Sequence, residues 1–402
     1  MKKSENFHFA IRRRTWAEID LDVAENNFFA LRNRLTSGTK LCCIVKADAY
    51  GHGAVPMARL YERLGADYLA VSNIEEAMQL RENGINCPLM ILGYTPTDAA
   101  KLLAEHHITQ CVFSYEYGTQ LADAAKEAGV RLSIHIKLDT GMGRIGFLFR
   151  KDGMDELEKV MEICRREELI SEGIFTHFAV ADDEKESGKA FTKEQIEQFD
   201  AAIERLSEAG ISFAIRHCAN SAAAVTICPN NCNMVRLGLV LYGISPIDGR
   251  SIDGIVPAMT LKTAISHIKE LEIGESVSYG RRFVAPKKMK VATVPIGYGD
   301  GYWRSNGFTG GVMRLGEHYV PIIGSVCMDQ TMLDVTDISC NVGDEITVFG
   351  ADAQCSAEAI AKRNGTISYE VICSLNHRVP RCFLNNGTIE EWQDPIYHKD
   401  LE

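Results

Sequence analysis

Apolar runs alternate with amphipathic segments from Leu41 onward, at a spacing of roughly 20–40 residues. This alternation is typical of βα units, in which a buried strand is followed by a crossover helix. The apolar runs are, in chain order, LCCIVKA, YLAVS, PLMILG, TQCVFS, RLSIHIKL, GIFTHFA, FAIRHCA and MVRLGLVLYG. Eight such strands predict an α/β fold, namely a (β/α)8 TIM-type barrel, and a doubly wound open sheet is the alternative.

Two of the intervening segments show helix boundaries. The segment NIEEAMQLRENG has a polar cap at Ser72 or Asn73 and Gly84 at its end. The segment TKEQIEQFDAAIERLSEAG predicts a helix that is capped by Thr192 and closed by Gly210.

The pattern changes after Gly243, where helical periodicity is nearly absent until SAEAIAKRNG. Short β-type runs separated by Gly, Asp and Asn turns take its place, and they are TLKTAISHIKEL, KMKVATVPIG, GVMRLGEHYVPIIG and DEITVFG. We therefore predict a barrel over residues 14–247 and a β-rich domain over residues 248–402. The runs FHFAI and TWAEIDL precede the barrel, and we expect this region, with residues 1–13, to join the β-rich domain.

Length and charge narrow the functional classes. A chain of 402 residues is larger than one core usually supports, and its net charge of −11 argues against binding to nucleic acid. The N-terminus lacks the apolar region of a secretory leader, and no stretch is apolar enough to span a bilayer, so we expect a cytoplasmic protein without a membrane partner. Because the 13 cysteines form no C-x-x-C pair, no metal site is expected.

Polar residues cluster where a barrel would have its active site, at the C-terminal ends of the strands. They are Lys46, Arg144, His177, His217, Asn220, Ser221 and Arg236. Taken singly, a strand-end lysine is a solvated charge, Asn220 is a helix cap and His177 is a core histidine. Arg236 is harder to explain in this way, because an arginine within a buried strand costs several kcal/mol unless it is paired or hydrogen-bonded.

Together these residues suit one ligand. A strand-end lysine can form a Schiff base, and a helix that starts at Asn220–Ala222 can hold a phosphate with its backbone N–H groups. An arginine can face a ring nitrogen. These are the requirements of pyridoxal phosphate, which we predict as the cofactor. The YGHG stretch lacks the spacing of a nucleotide-binding loop.

The motifs resemble those of the bacterial alanine racemases. VKADAYGHG resembles the lysine motif of that family, and the motifs that follow in the family's order are DTGMGRIG, THFAVAD, NSAA, VRLGLVLYG, VSYG, GYGDG, SVCMDQ and TISYEV. The similarity extends from Ala17 to Arg381. It implies a pyridoxal-phosphate enzyme that interconverts L- and D-alanine with two bases and supplies D-alanine for peptidoglycan. It also implies a homodimer whose active sites are shared between the chains.

The resemblance also implies roles for individual residues. Lys46 is the Schiff-base lysine and one catalytic base, and Tyr279, contributed by the other subunit, is the second. Arg144 and Met328 hold the substrate carboxylate, and Lys137 matches a lysine that is often carbamylated. Tyr298 and Tyr369 restrict the pocket to a methyl group. The residues implied in cofactor binding are Lys46, Tyr50, His177, Asn220, Ser221, Arg236, Gly238, Leu239 and Tyr369.

Three other functions compete with this interpretation. A serine/alanine racemase of the same family would have a wider pocket, and a pyridoxal-phosphate decarboxylase of the same barrel class would carry a glycine-rich phosphate loop. A cofactor-carrying module would lack the β-domain. The chain also departs from residues frequent in the family at Asp48, Gly299 and Ser325, and the last position is associated with the active-site entrance.

Overall fold

The computed structural model describes residues 14–227 and 231–396. In the first half of the chain, parallel strands alternate with helices. The first ten strands in chain order are β1 (Thr15–Asp20), β2 (Lys40–Ile44), β3 (Tyr68–Val71), β4 (Leu89–Ile91), β5 (Ile108–Val112), β6 (Leu132–Asp139), β7 (Phe147–Leu148), β8 (Leu169–Phe175), β9 (Ile215–His217) and β10 (Met234–Leu237). Eight of these pair in the order β10-β2-β3-β4-β5-β6-β8-β9, and β7 is a short addition to β6. Each predicted apolar run overlaps one of the eight.

Two backbone hydrogen bonds bring the ends of this sheet together. The N–H of Asn233 donates to the carbonyl of Arg216, and the N–H of Arg236 donates to the carbonyl of Ala219, both at 3.0 Å. The sheet is therefore a nearly closed barrel. This confirms the predicted barrel over the open doubly wound alternative, and it brings the C-terminal ends of the strands to one rim.

Helices separate most of the barrel strands along the chain. They are α1 (Leu21–Arg32), α2 (Ala54–Arg63), α3 (Ile74–Glu82), α4 (Ala100–Glu105), α5 (Tyr115–Ala128), α6 (Leu157–Cys164), α7 (Glu186–Glu208) and α8 (Ser221–Thr226). Asn73 caps α3, because its side chain accepts a hydrogen bond from the N–H of Glu76 at 2.9 Å. No helix in the described part of the chain has both the length and the apolar character needed to cross a membrane.

The prediction that Thr192 caps its helix is wrong. Helix α7 begins at Glu186, so Thr192 lies inside it. The Thr192 hydroxyl donates to the carbonyl of Gly188 at 3.0 Å, four residues earlier. A threonine can therefore satisfy its hydroxyl within a helix interior as well as at a cap, and the local pattern did not distinguish the two positions.

The second half of the chain is mostly β-structure. Its strands are β11 (Met259–Ala264), β12 (His267–Leu271), β13 (Ser276–Val277), β14 (Phe283–Val284), β15 (Met289–Val294), β16 (Val312–Leu315), β17 (His318–Pro321), β18 (Thr331–Asp334), β19 (Glu345–Phe349), β20 (Arg381–Asn385) and β21 (Thr388–Gln393), with helices α9 (Ala357–Asn364) and α10 (Ser368–Cys373). The largest sheet of this domain has seven strands in the order β17-β16-β19-β11-β1-β20-β21. A three-stranded sheet, β12-β15-β18, and the β13-β14 pair complete the domain.

Strand β1 belongs to this large sheet although it precedes the barrel in the chain. Its residue Ala17 pairs antiparallel with Leu261 and parallel with Arg381. The run TWAEIDL thus lies in the sheet of the second domain. Residues 1–13, which were also expected to join this domain, lie outside the described residues, and the exact domain bounds remain a prediction.

Candidate active site

Lys46 follows β2 at the start of a turn with an uncommon backbone conformation. The residues Ala47, Asp48, Ala49 and Tyr50 have φ values of 52°, 53°, 52° and 54°. These values are left-handed, which costs an L-residue other than glycine about 1–2 kcal/mol. The N–H of Ala49 donates to the Val45 carbonyl at 3.0 Å, which closes one helical turn. This turn separates Lys46 from Tyr50 by four residues, so both side chains lie on one side of it.

The surrounding structure holds the turn in place. Glu76 of α3 accepts a hydrogen bond from the N–H of Ala47 at 2.7 Å, and the Asp48 carboxylate accepts one from the N–H of Ala54 at 2.7 Å. From the second domain, Arg381 donates to the carbonyl of Gly51 at 3.1 Å. Strained backbone persists where its surroundings determine it in this way, and it concentrates at functional sites.

The environment of Lys46 favours a reactive amine. Burial lowers the pKa of Lys46 from its usual range, and the positive charge of Arg144 lowers it further. A lysine must lose its proton before its nitrogen can attack a carbonyl carbon or accept a proton. The position of Lys46 therefore increases the neutral fraction on which both kinds of chemistry depend.

The start of α8 and the end of β10 lie next to each other and close to the Tyr50 side chain. The Ser221 hydroxyl oxygen accepts a hydrogen bond from the N–H of Gly238 at 2.9 Å, and Asn220 caps α8 by accepting from the N–H of Ala223 at 3.0 Å. A Cβ atom on Gly238 would lie 2.6 Å from the hydroxyl oxygen of Tyr50. This close approach shows that only glycine leaves room for the tyrosine at this point.

The same residues present groups that could hold a phosphate. The ring of Tyr369 lies 5.8 Å from the ring of Tyr50, between centroids. Burial raises the pKa of Tyr50, so its hydroxyl keeps its proton and can donate it in a hydrogen bond. Together with the backbone N–H groups at the start of α8 and at Leu239, these residues fit the phosphate of pyridoxal phosphate. We name this group the phosphate cup; its residues are Tyr50, Asn220, Ser221, Gly238, Leu239 and Tyr369.

Replacing Gly238 with alanine tests the phosphate cup. The added methyl group is expected to displace the Tyr50 hydroxyl and to weaken pyridoxal phosphate binding by about 10-fold or more, the usual effect of losing one hydrogen bond to a charged group. A titration of the apoprotein followed by absorbance measures the dissociation constant. Gly153→Ala is the control, because its nearest neighbour would be an Arg150 side-chain atom at an ordinary 3.4 Å. Equal affinities for both variants would contradict this assignment.

Arg236 lies buried in β10, and both terminal nitrogens of its guanidinium donate hydrogen bonds. It donates at 2.8–3.2 Å to the carbonyls of Thr176 and Cys218 and to the Nδ1 atoms of His177 and His217. Because a guanidinium only donates, Nδ1 of His177 must accept, and the ring proton lies on Nε2. Burial and the charge of Arg236 hold the pKa of His177 well below its usual range, so His177 is neutral.

Lys137 is also buried on this side of the barrel. Its Nζ atom lies 4.9 Å from the centroid of the Phe175 ring. Burial lowers the pKa of Lys137 to about 8. A substantial neutral fraction at mildly alkaline pH is what reaction of an amine with carbon dioxide requires.

Tyr279, Tyr298 and Met328 lie apart from this group, exposed on the second domain; Tyr279 is 72% exposed. The Tyr279 turn is held by two hydrogen bonds: the Ser278 hydroxyl donates to the Ser325 carbonyl at 2.7 Å, and the Ser325 hydroxyl donates to the Tyr279 carbonyl at 3.2 Å. Ser325 is fully buried and supports the backbone of the Tyr279 turn through these bonds. Within the described chain, no side-chain hydrogen bond or ring contact links these three residues to Lys46.

Sequence reasoning missed two polar residues behind Arg236, namely His135 and Glu172. His135 lies in the apolar run of β6 and is fully buried, and its ring contacts His217. A histidine within an apolar strand was a signal that could have been used. Glu172 showed no comparable signal, because a glutamate in a strand usually faces solvent.

The fold and the site are those of a barrel class with a buried lysine of lowered pKa on the same rim as groups that could hold a phosphate. Residues 19–246 match the family model for the alanine racemase N-terminal domain, and residues 258–383 match that for the C-terminal domain. The chain belongs to the alanine racemase family.

Individual relatives agree with this membership. Alanine racemase 1 of Clostridium acetobutylicum is 43% identical over 383 residues, which is 94% of this chain and 97% of that protein. The structure of alanine racemase from Clostridium difficile 630 is similar with a TM-score of 0.89 at 39% identity, over 95% of this chain and 99% of that one. The structure of the Bacillus anthracis enzyme with bound L-Ala-P has a TM-score of 0.87 at 32% identity, over 96% of this chain and 98% of that one.

Proposed function

We propose that this protein interconverts L-alanine and D-alanine and that pyridoxal phosphate is its cofactor. The observation that carries the proposal is the placement of Lys46, the phosphate cup and Arg236 around one barrel rim, in a chain of the alanine racemase family. A chiral assay of the purified protein with L-alanine, with and without added pyridoxal phosphate, tests it. Failure to form D-alanine with the cofactor present would refute the proposal.

The proposed cofactor site has four parts. The phosphate cup would hold the phosphate, Lys46 would bind the cofactor covalently, and His177 would pack against its ring. Arg236 would face the ring nitrogen. When bound, pyridoxal phosphate withdraws electrons from the substrate Cα and so acidifies its proton. Because Arg236 is a permanent cation, it disfavours protonation of the ring nitrogen, so the bases of the protein must supply more of the catalysis.

Racemisation requires proton removal on one face of Cα and proton return on the other. We assign the D face to the Lys46 amine, whose lowered pKa suits a base at neutral pH. The L face falls to Tyr279 of the partner subunit. The His177 Nε2–H is a donor that can stabilise the phenolate of that tyrosine.

This assignment includes a homodimer. Tyr279 and Met328 are large, exposed side chains of the second domain, and exposed apolar groups of this kind are typical of subunit interfaces. In the proposed dimer each site combines the barrel rim of one chain with Tyr279 of the other. Light scattering of the purified protein tests the stoichiometry, and a strictly monomeric active enzyme would contradict it.

The substrate is proposed to be alanine rather than serine. Arg144 and Met328 would hold the carboxylate, while Tyr298 and Tyr369 would leave room for little more than a methyl group. Discrimination against one extra hydroxyl is modest, about 1–3 kcal/mol, so slow serine turnover is expected. Equal kcat/KM values for the two amino acids would favour the serine/alanine alternative, and release of carbon dioxide would favour a decarboxylase.

Two further assignments remain proposals. Carbamylation of Lys137 would place a negative charge near Arg144. A carbamate signal from 13C-labelled bicarbonate that is seen in the wild type and not in Lys137→Gln would support it, and absence of the signal from the wild type would refute it.

A cytoplasmic role in supplying D-alanine for peptidoglycan is tested by growth of a bacterial D-alanine auxotroph that expresses this chain. Absence of growth despite an active protein would contradict that role.

A further inference from the structure

A line of polar side chains runs through the barrel from Arg236 towards the N-terminal ends of the strands. The Arg236 guanidinium and His217 Nδ1 are 2.8 Å apart, and His217 Nε2 and His135 Nδ1 are also 2.8 Å apart. His135 Nε2 lies 3.7 Å from a carboxylate oxygen of Glu172. The other oxygen of Glu172 accepts a hydrogen bond from the Tyr68 hydroxyl at 2.7 Å, at the first residue of β3.

Arg236 determines which nitrogen donates and which accepts in each hydrogen bond of this line. Since its guanidinium can only donate, His217 must accept at Nδ1 and carry its proton on Nε2. His217 then donates to Nδ1 of His135, whose proton must also lie on Nε2 and point towards Glu172. Burial lowers the pKa of both histidines, which keeps them neutral and makes each ring donate at one nitrogen and accept at the other.

The packing around the two imidazoles fits their positions closely. Gly173 pairs with His135 in the β6–β8 register, and a Cβ atom on Gly173 would lie 2.6 Å from the His135 ring. The Phe175 ring stacks on the His217 ring with centroids 4.7 Å apart and an interplanar angle of 7°. Both rings are thus held in the orientation that the hydrogen bonds need.

Glu172 is the carboxylate at the end of this line. In the described part of the chain, Arg236 forms no ion pair, and its hydrogen-bond partners are neutral carbonyls and imidazoles. Glu172 is the carboxylate to which these neutral groups connect it. The Glu172 side chain is 30% exposed, whereas that of His135 is fully buried. The His135 ring lowers the pKa of Glu172, and the Tyr68 hydroxyl lowers it further, so the carboxylate stays ionised.

We propose that Glu172 and His135 are positioning residues for the racemase: the carboxylate orients and polarises the two imidazoles, and these hold the Arg236 guanidinium at the cofactor ring. Hydrogen bonds link Arg236 to His217 and His217 to His135, and the Glu172 carboxylate acts on His135 Nε2 electrostatically across 3.7 Å. In a low-dielectric interior such interactions strengthen one another, so a charge at one end affects the bond at the other. The inference rests on the proposed function, because it requires Arg236 to face bound pyridoxal phosphate.

The first test is Glu172→Gln in the holoenzyme. This variant removes the charge and keeps the size of the side chain. We expect kcat for L-alanine to fall about 10-fold, at the lower end of what outer partners of ligating histidines contribute in metal sites. Cofactor occupancy and the thermal midpoint should stay near those of the wild type, while the visible absorption band of the bound cofactor shifts. Glu168→Gln is the control, because Glu168 forms a separate ion pair with Arg166 at 3.3 Å.

The second test is a double-mutant cycle with His217→Gln, which interrupts the line. If Glu172 acts through His217, then Glu172→Gln should lower kcat about 10-fold in the wild-type background and by less than about 2-fold in the His217→Gln background. Tyr68→Phe, which removes one hydrogen bond to the carboxylate, should change kcat in the same direction and by a smaller factor. A residue that only stabilises the fold would not show this dependence on His217.

Three results would overturn the inference: an unchanged kcat and absorption band for Glu172→Gln, equal losses in both backgrounds, or a loss that follows unfolding or cofactor release. The wild-type protein tests the underlying function independently. A wild type that does not racemise alanine refutes the proposed function, whereas an active wild type with an unaffected Glu172→Gln variant refutes only the positioning role.

Discussion

Replacement of Tyr279 by phenylalanine is expected to lower racemisation of L-alanine by about 10²- to 10⁴-fold, the usual contribution of one general base. Cofactor binding should be unchanged, since Tyr279 is an exposed residue of the second domain and is not part of the phosphate cup. Chiral chromatography of the product measures turnover, and absorbance of bound pyridoxal phosphate measures occupancy. Tyr319→Phe is a matched control: Tyr319 is also an exposed tyrosine of the second domain, and its hydroxyl donates to Asp352 at 3.0 Å.

Isotope exchange separates a lost base from a misfolded site. In deuterated water, the Tyr279→Phe variant should still exchange the Cα proton of D-alanine, because Lys46 remains on that face. It should do so without forming L-alanine at a comparable rate. A variant that racemises at the wild-type rate would refute the two-base assignment, and one that exchanges neither isomer would show that Tyr279 also supports the Lys46 side of the site.

The barrel could be predicted because parallel strands are buried on both faces. Runs such as LCCIVKA are continuous and apolar, and this signal does not depend on the rest of the chain. For the second domain, only its β-rich character could be predicted, and not the order of its strands. Pairing of β1 with β20 joins segments that lie more than three hundred residues apart, and no local pattern encodes that register.

The backbone around Lys46 could not be predicted by propensity. The stretch Ala47–Tyr50 contains no glycine, yet all four of its residues adopt a left-handed conformation that such residues normally avoid. Contacts from Glu76 and Arg381, which are distant in sequence, offset that cost. The line from Arg236 to Glu172 escaped prediction for the same reason, because each of its side chains comes from a different strand.

Replacement of Lys46 by alanine is expected to remove the covalent bond to the cofactor and to lower racemisation in both directions by about 10⁴-fold or more, because one residue supplies both the attachment and a base. Borohydride reduction followed by peptide mass spectrometry should find the cofactor on the Lys46 peptide of the wild type and on no peptide of the variant. Lys40→Ala is the control, since Lys40 begins the same strand, at the end away from the catalytic rim. A cofactor label on another lysine of the wild type would refute the assignment.

Mixing the Lys46→Ala and Tyr279→Phe proteins tests whether one site uses both chains. A mixed dimer would have one site with neither group and one site with Lys46 from one subunit and Tyr279 of the partner subunit. Random exchange of equal amounts should therefore restore up to about one quarter of wild-type activity, since half of the dimers are mixed and each has one complete site. If Lys46 and Tyr279 of the same chain formed a site, every site would lack one group, and mixed dimers would stay inactive.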